Sequence, residues 1–284
     1  MRLGVVLEGA PGVAALQSLA AQACAAESVG LDFAWLAPEA GAAALLAASS
    51  VATSTTVLRL VARVAVGAHP LEIAEAAVVA ENCSAGRLGL VLESVERDRD
   101  LLAETTDAIL AATSPRPFRH HGARWRIPAN LPENEDHEAR IAVTPYCVQP
   151  ELPIWLAGPE SDGVARERGL SHVSGAGESA EDAARAWAAT ERALGPGARR
   201  LRRPALRAVH ADADGDLDDA ALVAMLRAEQ RLWDVDIAVL RLPAALDDRA
   251  RARAMRRVAS RVRPRVVLDA LPPGLEAYWD EALA

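Results

Sequence analysis

The chain has 284 residues and a formal net charge of −8, and 51% of its residues are hydrophobic but only 4% aromatic. This length suits one large α/β domain, since single α/β barrels of about 250 residues are common. The acidic balance argues against nucleic acid as a partner, because phosphate backbones require a basic surface. No apolar run approaches the length of a membrane span, so no membrane partner is predicted.

The first residues and the cysteines predict a cytoplasmic protein. Only five apolar or small residues separate Arg2 from Glu8, which is too short a stretch for a signal peptide. Cys24, Cys83 and Cys147 are odd in number and form no CxxC pair, which favours free thiols in a reducing compartment. The histidines show no HxH or HExxH spacing, so no metal is predicted.

Predicted strands and helices alternate along most of the chain. Pro70 can open a helix, the turn Ser84-Ala85-Gly86 ends it, and an apolar run follows as a buried strand. The predicted strands are Leu3–Leu7, Phe33–Leu36, Val57–Val66, Leu88–Leu92, Ile154–Ala157, His172–Ser174, Leu206–His210 and Asp236–Leu240. The predicted helices are Val13–Ser28, Ala42–Ala52, Leu71–Asn82, Arg97–Ala112, Ser161–Arg168, Ser179–Leu194, Asp218–Trp233, Asp247–Val262 and a terminal helix from Leu275.

A proline-rich excursion, residues 115–153, interrupts this alternation. It contains one possible hairpin, formed by Phe118–His121 and Arg124–Ile127 around Gly122. Eight β-α units with no internal repeat or linker predict a (β/α)8 TIM barrel that forms a single domain over residues 1–284. The alternative is a doubly wound open sheet, which the count of eight units disfavours.

Four motifs give the chain a family resemblance. They are ESVGLDFAWL at Glu27–Leu36, HPL at His69–Leu71, SAGRL at Ser84–Leu88 and LPIWLAG at Leu152–Gly158. Their order and spacing resemble those of the luciferase-like flavin-dependent monooxygenases, over roughly the first two thirds of the chain. The resemblance implies an oxidoreductase or monooxygenase that uses FMN or the deazaflavin F420 on a small organic substrate.

Two departures from the family pattern concern the loops after strands two and four. The family carries a glutamate-histidine pair after strand two, where this chain has Pro38-Glu39-Ala40. It carries a glycine-x-glycine signature after strand four, where this chain reads Leu90-Val91-Leu92-Glu93. Both loops are therefore predicted to be short. The alternative function is a non-catalytic homologue, either a flavin-binding protein or a partner subunit, in which the cofactor can be absent.

Residues at the carboxyl ends of the predicted strands are the candidates for chemistry, because active sites of TIM barrels lie there. They are Glu8, Glu39, His69, Glu93, Gly158–Ser161, Ser174–Gly177, His210 and Arg241. His69, Glu39 and His210 are the catalytic candidates, although His69 could instead cap the helix that follows it. Arg87 precedes strand four, at the opposite end, and is interpreted as structural.

Two turns are candidates for holding the cofactor. Gly158, Pro159, Glu160 and Ser161 connect a strand to a helix, and a helix N-terminus with a serine hydroxyl suits a phosphate. The resemblance implies the same position for the flavin phosphate, whereas an ordinary turn with Ser161 as helix cap is the alternative. Ser174 and Gly175 form the second candidate, where a glycine permits close backbone approach.

The second predicted helix indicates assembly. Residues 41–52 include no charged side chain, although a barrel helix normally has one solvated polar face. The resemblance implies dimers that pair helices two and three, so we expect a homodimer or heterodimer through these helices. Substitution of Ala44 or Ala48 by arginine, whichever faces outward, is expected to disrupt it.

Overall fold

The computed structural model describes residues 1–8, 13–39, 43–94, 96–129 and 139–267. Parallel strands alternate with helices along the chain, and the predicted (β/α)8 TIM barrel fold is confirmed. Two compact units are distinguishable, Met1–Ala34 with Ser174–Ala284 (unit 1) and Trp35–Val173 (unit 2). The predicted terminal helix from Leu275 lies outside the described residues.

Unit 2 contains the helix–turn–strand segment and the excursion. Its elements are most of β2 (Phe33–Glu39), α2 (Ala43–Ala52), β3 (Arg59–Val66), α3 (Pro70–Cys83), β4 (Leu88–Ser94), α4 (Arg99–Ala112), the short strands β5 (His120–His121) and β6 (Arg126–Ile127), β7 (Ile154–Ala157), α5 (Ser161–Arg168) and β8 (Ser171–His172). β3 pairs with β4, β4 with β7 and β7 with β8, all in parallel. Almost every residue of β4 is buried, as its uninterrupted apolar sequence requires.

Unit 1 contains the remaining strands and helices. They are β1 (Arg2–Leu7), α1 (Val13–Ser28), α6 (Ala180–Leu194), β9 (Pro204–Ala208), α7 (Asp219–Trp233), β10 (Ile237–Arg241), α8 (Asp248–Arg257) and α9 (Arg263–Val267). β10 pairs in parallel with β1 on one side and with β9 on the other. A π-helical segment, Val258–Val262, links α8 to α9.

Several predicted boundaries were wrong. β2 extends three residues further than predicted, to Glu39, and β9 begins and ends two residues earlier, at Pro204 and Ala208. The predicted hairpin shrinks to two residue pairs, because Phe118 bridges to Ile141 instead of the opposite strand. The predicted short loops are confirmed, since only residues 40–42 separate β2 from α2 and residues 95–98 separate β4 from α4.

The excursion packs on α3 and α4. Phe118, Ile127 and Val143 join Ala74, Val78, Ala108 and Ala112 in one buried apolar cluster. Two helix carboxylates hold its backbone. Glu81 on α3 is fully buried and accepts hydrogen bonds from the N–H groups of Val148 at 2.7 Å and Gln149 at 2.9 Å. Burial, together with the charge of Glu81, raises the pKa of the Cys147 thiol to about 11, so this thiol stays protonated at neutral pH.

Glu104 on α4 is the second carboxylate, and it makes the excursion sensitive to acid. Burial opposes ionisation, but hydrogen bonds from the N–H groups of Trp125 and Arg124 and from His120 outweigh it and hold the pKa of Glu104 below its ordinary 4.5. A carboxyl with a lowered pKa stabilises the fold above its unfolded pKa and loses that effect as pH falls through the folded value.

We therefore expect Glu104→Gln to lower the free energy of unfolding by about 1–2 kcal/mol at pH 7, since it removes a charged acceptor of three backbone N–H groups. Urea titrations of both proteins across the acid range test this. The difference between them should narrow as pH falls below 4.5. A difference that stays constant down to pH 2 would show that the charge of Glu104 contributes nothing.

Arg87 is structural, as its position before β4 indicated. Its guanidinium donates to the backbone oxygens of Ser84, Leu58, Ala52 and Thr55 at 2.7–3.1 Å. It also donates to the Thr55 hydroxyl at 3.0 Å. Arg87 thereby joins the C-terminal end of α2 to the turn before β4, and fixes the amino-terminal edge of the sheet in unit 2.

Candidate functional site

An ion pair lies at the carboxyl ends of β3 and β4. In the parallel register Ala65 is opposite Glu93 and Arg63 is opposite Val91, so Arg63 and Glu93 project from the same face of the sheet. The Arg63 guanidinium bonds the Glu93 carboxylate, and the two side chains are 23% and 21% exposed. The pair is therefore partly desolvated yet within reach of a ligand. A charged group at this end of a barrel strand is a candidate for function rather than for stability.

Two stacked indoles lie on the same face as the ion pair. Trp155 of β7 is opposite Val91 in the register, and its ring is 6.1 Å from that of Trp35 with 14° between their planes. Both residues are buried. Trp35 Nε1 and Arg63 Nε are buried N–H donors without a hydrogen-bond partner among the described residues. Both donors are therefore available to an acceptor that a ligand can supply.

The turn after β7 adjoins this pair. A Cβ atom added to Gly158, whose φ is +96°, would lie 3.5 Å from Glu93 Cγ. The Ser161 hydroxyl donates to the Gly158 carbonyl at 2.6 Å, and Ser161 is buried. Glu160 occupies the N-cap of α5 and Asp162 its first turn. The predicted phosphate position therefore has carboxylates on both sides, and the serine hydroxyl is already used.

Of the catalytic candidates in unit 2, His69 is a helix cap. Its Nδ1 accepts from the N–H of Leu71 at 3.3 Å, and its ring meets Trp125 edge-on at 5.1 Å. Because Nδ1 is the acceptor, the proton of the neutral ring is on Nε2. Glu39 ends β2, but its side chain is outside the described residues.

The remaining candidates belong to unit 1. Arg241 Nε donates to Glu8 Oε1 at 2.8 Å, so these two strand-end residues form an ion pair. His210 follows β9 and is exposed. Its catalytic role stays a prediction.

The second cofactor turn is held by a buried arginine. Arg207 donates to the Ser174 hydroxyl at 2.9 Å and to the Gly175 carbonyl at 2.7 Å, and it also pairs with the Glu229 carboxylate. The N–H of Gly175 donates to Glu178 at 3.1 Å. Ser174 is fully buried. The groups predicted to meet a phosphate here have partners within the protein.

Sequence reasoning selected Glu93 but missed Arg63, Trp35 and Trp155. Arg63 carries a visible signal, because it is the one charged residue in the apolar segment LVARVAV at residues 60–66. Trp35 and Trp155 stand within the FAWL and PIWLAG motifs, which indicate the family resemblance but no ligand contact. Their stacking depends on strands that are not consecutive in the chain, so no local pattern indicates it.

The comparisons confirm the resemblance at the level of the fold. The monooxygenase RslO1 from Streptomyces bottropensis superposes with a TM-score of 0.73 at 16% identity, over 93% of this chain and 99% of that one. The oxygenating constituent of 3,6-diketocamphane monooxygenase from Pseudomonas putida, in complex with FMN, superposes with a TM-score of 0.63 at 15% identity. The match covers 93% of this chain and 98% of that one. An F420-dependent secondary alcohol dehydrogenase, in complex with an F420-acetone adduct, superposes with a TM-score of 0.67 at 12% identity. The match covers 93% of this chain and 98% of that one.

Sequence comparison gives no further information, because no protein-family model and no curated protein matches the chain. Identities of 12–16% support a shared fold, whereas function has to be argued from the site itself. Within the described residues, no helix combines the length and the apolar character that crossing a bilayer requires.

Proposed function

We propose that this protein is a flavin-dependent oxidoreductase of the monooxygenase kind, which uses FMN or F420 on a small organic substrate. The carrying observation is the Arg63–Glu93 pair beside the stacked Trp35 and Trp155, at the strand ends where this fold places its chemistry. The cofactor would supply hydride or oxygen chemistry. The chain's own residues would bind it, orient it and exclude water.

The residues of unit 2 fit the ring of such a cofactor. Flavin and deazaflavin rings are planar and carry carbonyl oxygens along the pyrimidine edge. Trp35 Nε1 and Arg63 Nε are buried donors without an acceptor, which such an edge can satisfy. The absence of a side chain at Gly158 permits close approach beside Glu93. Arg63 and Trp35 would therefore recognise the ring edge.

The cofactor phosphate would meet two carboxylates at the start of α5 and a serine hydroxyl that already has a partner, so we propose that cofactor affinity is weak. Ser161→Asp adds a third carboxylate at the start of α5, next to Glu160 and Asp162, and should weaken FMN and F420 binding about 10-fold or more by repulsion. Ser179→Asp is the matched control. It adds the same charge at the N-cap of α6 and preserves the cap that Ser179 now provides.

Fluorescence titration of the wild type and both variants with FMN and with F420 measures these affinities. If Ser161→Asp and Ser179→Asp bind equally well, the turn after β7 does not hold the phosphate. Turnover of a small organic substrate with the reduced cofactor then tests the oxidoreductase itself.

A second candidate function is a non-catalytic homologue. It is favoured by Glu93, a charged side chain where the resembled family has its glycine-x-glycine signature. The two functions differ in a simple observation. A yellow purified protein, or one that turns over substrate with reduced flavin, supports the enzyme. A colourless protein that binds neither FMN nor F420 supports the partner subunit.

We also propose a cytoplasmic location. Cys24, Cys83 and Cys147 form no disulfide among the described residues, as expected in a reducing compartment. Fractionation of cells that express the tagged protein tests this proposal.

A further inference from the structure

Arg63 and Glu93 neutralise each other at the position where the proposed function needs a cation. The carboxylate is bonded to the terminal guanidinium nitrogen Nη2, while Nε has no partner among the described residues. Arg63 therefore has its charge compensated, but its hydrogen-bonding capacity is only partly used.

Small residues surround the Glu93 side chain. Ala65 of β3 and Ala157 of β7 lie on either side of Glu93 in the register, so its neighbours on both strands have small side chains. Gly158, which has no side chain, lies next to the Cγ atom of Glu93. These small neighbours cover the carboxylate only in part, and it stays 21% exposed beside Arg63, where a ring would have to approach.

We propose that Glu93 is an internal competitor of the cofactor for Arg63. The inference rests on the proposed function, because it names the residue that limits cofactor binding at that same site. A planar ring with an acceptor edge can accept from the Nε of Arg63 while the ion pair is intact, but it gains the Nη2 donor and the uncompensated charge of the guanidinium only by displacing the carboxylate. The wild-type pair thus lowers affinity for FMN.

The competition has an electrostatic consequence that depends on the redox state of the ring. Reduced FMN is anionic at neutral pH, whereas the ring of oxidised FMN is neutral. A carboxylate a few ångströms from the ring repels the anion, and repulsion in a partly desolvated site is several times stronger than in water. Glu93 therefore disfavours reduced FMN more than oxidised FMN.

The test replaces Glu93 by Gln, which keeps its size and can still accept from Arg63. Glu93→Gln should tighten the binding of oxidised FMN about 10-fold and of reduced FMN about 100-fold, as removal of one nearby charge predicts. Glu93→Gly, which also removes the side chain, should tighten binding at least as much. Arg63→Gln in the Glu93→Gln background should abolish the gain.

Glu167→Gln is the control. It removes a carboxylate that also pairs with an arginine, Arg99, but on an exposed part of α5. Anaerobic titrations that follow tryptophan and FMN fluorescence give both dissociation constants without reference to activity. Circular dichroism confirms that each variant is folded.

The outcomes separate the inference from the proposed function. FMN binding that is tighter in both Glu93 variants than in the wild type supports the inference that Glu93 competes with the cofactor. If the variants bind FMN and the wild type does not, the inference stands and only the flavin dependence of the wild type is overturned. Wild-type binding that Glu93→Gln changes no more than Glu167→Gln does overturns the competitor and leaves the proposed function in place. Absence of binding in every variant overturns both.

Discussion

Arg207→Ala is expected to lower the free energy of unfolding by about 3–5 kcal/mol, because it leaves a buried carboxylate without its counter-ion. Arg207 and Glu229 are each only 3% exposed. Their carboxylate and guanidinium form two parallel hydrogen bonds of 2.6 and 2.9 Å. Glu229 also accepts a hydrogen bond from Trp233 Nε1 at 2.5 Å, so its carboxylate joins two residues of α7 one turn apart.

The loss should extend to the turn that Arg207 holds. Without its guanidinium, the Ser174 hydroxyl and the Gly175 carbonyl lose the donor that fixes them. Faster hydrogen exchange at Gly175 and Ala176 would therefore accompany the loss of stability. Arg207 thus positions one of the two turns that the sequence predicted to hold a cofactor.

Urea titration measures the stability change, and Arg257→Ala is the matched control. Arg257 also bonds two carboxylates of unit 1, Asp219 and Asp216, but on a more exposed surface, where a salt bridge contributes at most about 1 kcal/mol. An Arg207→Ala protein that is no less stable than Arg257→Ala would contradict the prediction. Arg207→Met combined with Glu229→Leu should recover part of the loss, because no unpaired charge remains.

The fold could be predicted because its signals are local. Each β-α unit contains a short apolar run, a turn and a helical period within about thirty residues, as in the segment from α3 to β4. Boundaries failed where tertiary contacts decide them. Phe118 was assigned to a hairpin strand, but its pairing with Ile141 and its burial in the cluster on α3 and α4 determine its place.

The candidate site was predicted only in part, for a related reason. The ends of the strands can be located from the sequence. Their positions identify Glu93, His69 and the turn at Gly158 as candidates. The partners of these residues cannot be located in this way, because register sets which side chains meet. Arg63 pairs with Glu93 since β3 and β4 are offset so that Ala65, not Arg63, is opposite it. The same holds for Arg207, whose partner Glu229 comes from a helix and not from a strand.

The surface of α2 and α3 supports the proposed dimer, but it changes the residues that test it. Ala44 and Ala48, where arginine is predicted from the sequence to disrupt assembly, face the interior and are 2% and 0% exposed. Leu46 of α2 is instead 66% exposed, and Val79 of α3, which packs beside α2, is 49% exposed. We propose that a second copy of the chain covers this apolar surface. A two-fold contact brings equivalent residues close together, so an α2 without charges suits self-association.

Leu46→Arg should convert the proposed dimer to a monomer at micromolar concentration. The two-fold axis places two arginines in one interface, and each unpaired charge that is buried costs several kcal/mol, so we expect at least about 100-fold weaker association. Leu232→Arg is the control, because Leu232 is a similarly exposed leucine, at 48%, on α7. Light scattering after size-exclusion chromatography gives the mass of each protein. A wild-type protein that is monomeric at 10 µM would refute the homodimer, and a dimer that survives Leu46→Arg would place the contact away from α2.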